Sequence, residues 1–158
     1  MDQIFWLVPN VLAGRCGPNE RPWHLAHLRQ SGIGAVLSVN DGALCEPEDF
    51  ARQGLAYACI PFSNNAPPCE GDLEHCQSAL PAALSFAREN ISRHRPVLVH
   101  CSAGKDRTGL FLAYYLVQCE GCSVAQAMER VRAVRPIAFT ADGWDEFAAR
   151  VLSAKTRH

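Results

Sequence analysis

One stretch of the sequence gathers residue types that do chemistry together: His100, Cys101, Ser102, Ala103, Gly104, Lys105, Asp106, Arg107 and Thr108. The β-prone run Val97-Leu98-Val99 leads into it, and a strongly apolar helical stretch leaves it. A cysteine at the start of a loop that opens onto a helix N-terminus lies among backbone N–H groups with no intrahelical partner. Such groups attract an anion and favour a thiolate over a thiol. Arg107, six residues on, carries a planar fork of donors suited to phosphate oxygens. A thiolate beneath a phosphate, with an arginine clamping the equatorial oxygens, is a site for phosphoryl transfer through a covalent intermediate. Cys101 is then the nucleophile and Arg107 the clamp. The N–H groups of Ser102, Ala103, Gly104, Lys105, Asp106 and Arg107 form the phosphate-binding P-loop, and Gly104 lets the chain turn sharply enough to aim them.

The elements that must hold this loop follow from periodicity and turn residues. Residues 4–8 and 11–14 read as a strand pair around Pro9-Asn10, with Gly14 ending the second and 15–19 a turn. A helix is predicted over 20–30 with Pro22 in its first turn and Trp23, Ala26 and Leu28 on its buried face. Residues 33–39 form a buried strand, 46–53 a short helix opened by Pro47, and 55–60 a further strand closed by Pro61. Residues 62–71 are a loop. Asp72 is read as the N-cap of a long helix to about 93, with a kink or break at Pro81. After the strand 97–100, helices are predicted over 108–119 with Gly121 as its cap, from Ser123 to Arg135, and over 142–154. Strands alternating with helices, then helices alone, predict an α/β fold: a central mixed, largely parallel sheet flanked by helices. Ligands of such sheets bind beyond the carboxyl ends of central strands, where Cys101 falls.

With 158 residues, residues 1–158 read as a single domain able to bury a core. A net charge of −1 gives no electrostatic case for nucleic acid or an anionic membrane surface. No apolar run reaches the ~18 residues of a membrane span, so no integral membrane segment is expected. The eight cysteines are scattered, no signal-like start precedes them, and a thiolate needs a reducing compartment. These points predict a cytoplasmic protein.

Residues 100–108 spell His-Cys-x5-Arg-Thr, which resembles the signature of cysteine-dependent protein tyrosine and dual-specificity phosphatases. In length and element order the whole chain looks like a small atypical member of that superfamily. The resemblance implies a phosphatase-like fold and hydrolysis of phosphomonoesters through phosphocysteine, with no cofactor and no metal. The implied partner is a phosphoprotein carrying phosphotyrosine or phosphoserine/threonine, with phosphoinositide as the alternative substrate. Thr108 has a hydroxyl suited to donating to the thiolate, and His100 is expected to order the loop rather than touch substrate.

The proton donor departs from the family pattern. The family places an aspartate on the loop after the strand that ends here at Ile60-Pro61, yet Phe62 follows Pro61 and the next carboxylates are Glu70 and Asp72. Gly-Lys-Asp-Arg-Thr resembles the loops of myotubularin-type lipid phosphatases and of some bacterial phosphatases, which implies Asp106 as the general acid. Asp72 is the alternative and Asp41 a third candidate. Lys105 is either a solvated rim residue or a contact for a second phosphate. Arg130, Arg132 and Arg135 are read as solvated on a helix face. A phosphate-binding module with an acid too weak for turnover is the rival reading. A zinc or redox role for Cys119 and Cys122 is a further one.

Overall fold

The structure is a computed structural model that describes residues 3–40, 42, 45–63 and 65–153. Among these, β1 (Phe5–Val8), β2 (Leu12–Cys16), β3 (Ala35–Ser38), β4 (Ala56–Cys59) and β5 (Val97–Cys101) form one sheet in the order β1-β2-β5-β3-β4. β1 runs antiparallel to β2, and the other neighbours are parallel. This is the mixed, largely parallel sheet expected from the alternation of elements.

Side chains alternate across β5 and build two cores. Val97, Val99 and Cys101 face the larger core, which holds α3 (Asp72–Ser92), α4 (Asp106–Glu120), α5 (Val124–Val134) and α6 (Trp144–Ser153). Leu98 faces the smaller core with Leu28 of α1 (Leu25–Gln30) and Phe50 of α2 (Pro47–Arg52). α4 is buried on nearly every side, as its apolar composition requires. Ser123 and Gln126 close a capping box at the start of α5, and Gly121, with φ of 71°, caps α4. Among the described residues no helix is long and apolar enough to cross a membrane.

Five local expectations are corrected. β2 runs past Gly14 to Cys16, because Arg15 and Cys16 continue the parallel register opposite His100 and Cys101. α1 starts at Leu25 rather than at residue 20, and Pro22 precedes it. The carbonyls of Arg21 and Pro22 accept from the buried Arg15 guanidinium, at 3.1 and 3.2 Å, instead of opening a helix. Ala26 is exposed, so Leu28 carries the buried face of α1. α3 runs unbroken through Pro81. The missing N–H costs about 3 kcal/mol, an amount that burial of Leu80 and Leu84 against the core offsets, at about 1.5–3 kcal/mol each. The N-cap of α3 is Gly71, and Asp72 is the first helical residue.

Candidate active site

β5 delivers Cys101 to its carboxyl end, and α4 begins five residues later at Asp106. The Cys101 side chain faces the larger core and is almost fully buried. Thr108, in the first turn of α4, donates its hydroxyl to Cys101 Sγ at 3.1 Å. Gly14 is the residue that makes room here. A Cβ at that position would meet the Phe5 ring at 2.4 Å and Thr108 Cγ2 at 3.1 Å.

The backbone of the loop is held from outside. The Cys101 carbonyl accepts from His100 Nδ1 (3.2 Å) and the Ser102 carbonyl from the Gly17 N–H (2.9 Å). Those of Ala103 and Gly104 accept from Arg135 Nη2 (2.6 Å) and Nε (3.1 Å), and that of Lys105 from the Gly109 N–H (3.0 Å). In a planar trans peptide the C=O and the following N–H point in opposite directions. Each N–H of the loop therefore points away from the donor that holds the preceding carbonyl, and those of Gly104 and Lys105 point away from Arg135. Gly104 has φ of 67°, and a Cβ there would lie 2.5 Å from the Arg15 carbonyl oxygen, so a side chain is excluded twice over.

Arg107 is oriented by two contacts. Its Nε donates to the Ser63 carbonyl at 2.7 Å, and its guanidinium lies 5.0 Å over the Trp144 ring. Among the described residues nothing else takes its Nη donors, which suit an anion. Trp144 donates its indole N–H to the Asn65 carbonyl at 2.9 Å. The 61–71 loop, which lacks the expected aspartate, thus serves as the backing of Arg107.

His100 is fully buried on the opposite face of β5, edge-on to Trp23 with ring centroids 4.9 Å apart. A carbonyl can only accept, so a neutral ring carries its hydrogen on Nδ1. Nε2 lies 2.6 Å from Ser38 Oγ, which is 2.7 Å from Tyr57 Oη. Burial pushes the Tyr57 phenol well above its ordinary pKa, so it stays protonated. Asn19 Nδ2 donates to Ser102 Oγ at 2.8 Å.

Asp106 is nearly fully buried. Its Oδ2 pairs with Lys105 Nζ at 2.7 Å, and its Oδ1 accepts the Ala141 N–H at 3.2 Å. Lys105 also donates to Thr140 Oγ1 at 3.1 Å, so it is tied to the α5–α6 connection rather than solvated. Asp72 points into its own loop, accepting from the Cys69 N–H and from Asn65 Nδ2 at 3.1 Å. The Cys69 N–H, together with donors from Asn65 and Ser63 and the charge of His75, holds its carboxyl below the usual carboxylate pKa despite burial. Asp41 lies outside the described residues. Arg135 is corrected from a solvated residue to a loop contact. Among the described residues no disulfide links the cysteines, and no cluster of three metal-ligating side chains occurs.

Arg135, Arg15, Asn19, Ser38, Ser63 and Trp144 therefore join the site without having been legible as part of it. Each comes from an element distant in sequence, and no local pattern marks any of them.

The dual specificity phosphatase catalytic domain family matches residues 19–146, so the chain belongs to that family. Over 119 residues it is 30% identical to mouse dual specificity protein phosphatase 12, covering 75% of this chain and 33% of that protein. It is 26% identical over 110 residues to the phosphatidylglycerophosphate phosphatase PTPMT2 of Arabidopsis thaliana, covering 69% and 46%. The chain thus spans a third of the length of one of these relatives and less than half of the other. The crystal structure of Tk-PTP in its active form superposes with a TM-score of 0.77 at 19% identity, covering 96% of this chain and 97% of that one. At that identity the likeness establishes the shared fold.

Proposed function

We propose that this chain is a phosphatase domain that hydrolyses phosphomonoesters through a phosphocysteine at Cys101, acting on phosphotyrosine or phosphoserine/threonine in proteins. The observation that carries the reading is the Thr108 hydroxyl 3.1 Å from Cys101 Sγ, beneath a loop whose carbonyls are held outward. The Cys101 thiolate attacks phosphorus in line, and the bond from phosphorus to the leaving oxygen breaks. Arg107 and the loop N–H groups take up the charge on the equatorial oxygens. Asp106 gives its proton to the leaving oxygen. Water then attacks the phosphocysteine, Asp106 accepts the proton from that water, and the S–P bond breaks. The Thr108 hydroxyl stabilises the departing thiolate.

Asp106 is preferred over Asp72 as the acid because Asp72 is turned into its own loop, where the Cys69 N–H and Asn65 hold it, whereas Asp106 belongs to the loop that follows Cys101 and directly precedes Arg107. For Asp106 to act, Lys105 must leave Oδ2. An incoming phosphate is the natural competitor for its ammonium, so substrate binding frees the Asp106 carboxylate, which takes up a proton from solvent before it serves as the acid. This suits a substrate with a second phosphate, and phosphoinositide is accordingly the second reading. The lipid-phosphate name of the Arabidopsis relative supports it. A reducing, cytoplasmic setting suits a catalytic thiolate.

The test is turnover of p-nitrophenyl phosphate by the protein and by Cys101→Ser. Release in the first and none in the second is expected. Oxyanion binding without Cys101-dependent release would replace the enzyme with a phosphate-binding module. Inorganic phosphate released from a phosphotyrosine peptide against a phosphoinositide decides between the two substrate classes.

A further inference from the structure

Arg135 lies just past the end of α5, more than thirty residues beyond the loop it contacts. Its Nη2 and Nε donate to the carbonyls of Ala103 and Gly104 at 2.6 and 3.1 Å. Its guanidinium lies 5.4 Å over the ring of Phe5 in β1, which fixes the plane of the fork. The two gripped peptides flank Gly104, the residue whose missing Cβ makes a peptide flip least costly. The Cys101, Ser102 and Lys105 carbonyls are held by donors fixed in or beside the sheet or in α4. The two peptides around the glycine are held instead by this side chain. A cation on a carbonyl oxygen also polarises the peptide, which strengthens the N–H on its far side as a donor.

We propose that Arg135 is a positioning residue for phosphoryl transfer: by gripping two successive carbonyls from behind, it aims the N–H groups of Gly104 and Lys105 at the phosphate. The proposal rests on the reading of residues 101–107 as a phosphate cradle, but oxyanion binding tests it independently of turnover. Arg135 never touches substrate. Its effect reaches the reaction through donors that matter most when charge builds on the equatorial oxygens.

The experiment compares the wild-type chain with Arg135→Met, which keeps an apolar stem over Phe5 and removes both donors, and with Arg135→Lys, which keeps the charge but not the fork. Tungstate affinity is measured by calorimetry, and kcat and KM on p-nitrophenyl phosphate. Expected for Arg135→Met are weaker tungstate binding and a fall in kcat of about 10- to 100-fold that exceeds the rise in KM. Arg135→Lys should recover part of both. Tungstate affinity and kcat within about twofold of wild type in folded Arg135→Met would overturn the proposal and leave Arg135 as a structural tie. If Arg135→Met does not fold, Arg135→Lys decides, and unchanged tungstate affinity there overturns it equally. Tungstate binding that weakens with Arg135→Met in a chain without Cys101-dependent turnover would support the positioning role while removing the hydrolase reading. Absence of tungstate binding to the wild-type chain would remove this inference.

Discussion

In the proposed mechanism Asp106 has two tasks that pull against each other. As a partner of Lys105 and the Ala141 N–H it ties the loop to the α5–α6 connection, and as an acid it must hold a proton near the leaving oxygen. Asp106→Asn separates them, since the amide still accepts from Ala141 but cannot donate the proton. With phenyl phosphate, whose leaving oxygen is strongly basic, kcat should fall about 10²- to 10⁴-fold. With a dinitrophenyl ester, which leaves without help, the fall should be small. Equal losses on both substrates would return Asp106 to a structural role. The other residues of the proposed site divide by role: Cys101, Arg107 and the loop N–H groups are assigned to the phosphate, while His100 and Arg135 donate to carbonyls of the loop.

The 61–71 loop and the first turn of α3 behave as one element. Asp72 ties Cys69 and Asn65 together, Asn65 meets Trp144, and Ser63 meets Arg107. The hydrogen bonds that hold Asp72 ionised make this tie pH-dependent. Its folded-state pKa is lowered, so its stabilisation is fully present above the unfolded value of about 4 and is lost as pH falls through the lower folded value. Asp72→Asn should therefore cost about 1–2 kcal/mol near pH 7, measured by denaturant unfolding, and the gap to wild type should close below about pH 4. A gap that stays constant with pH would show that the charge of Asp72 contributes nothing to the element. The same variant should retain turnover far better than Asp106→Asn.

For the whole molecule, the proposed cradle joins β2, β5, α4 and the segments around α6, so an oxyanion bound there would stabilise the fold as a unit. Tungstate at a hundred times its dissociation constant should add about 2.7 kcal/mol, roughly 5–10 °C in Tm for a chain of this size. Arg107→Ala should abolish most of that shift, since its guanidinium links the anion to Ser63 and Trp144. A shift of equal size in Arg107→Ala would place the anion elsewhere.

Local order was written in the sequence. The buried strand, the glycine-bearing loop and the apolar helix from residue 97 to 120 are contiguous, and this local order brings the first turn of α4, which carries Arg107 and Thr108, back to Cys101. The sequence also showed that the 61–71 loop lacks the expected acid, but not that its carbonyls back Arg107. Tertiary structure alone decided which distant side chains hold the loop. Arg135 at a helix end reads the same whether it faces water or two carbonyls, and Arg15 looked like a turn residue until the register of β2 against β5 buried it. The physical reason is that an outward carbonyl carries no side-chain signature, so the donors that satisfy it can come from any element the fold packs alongside.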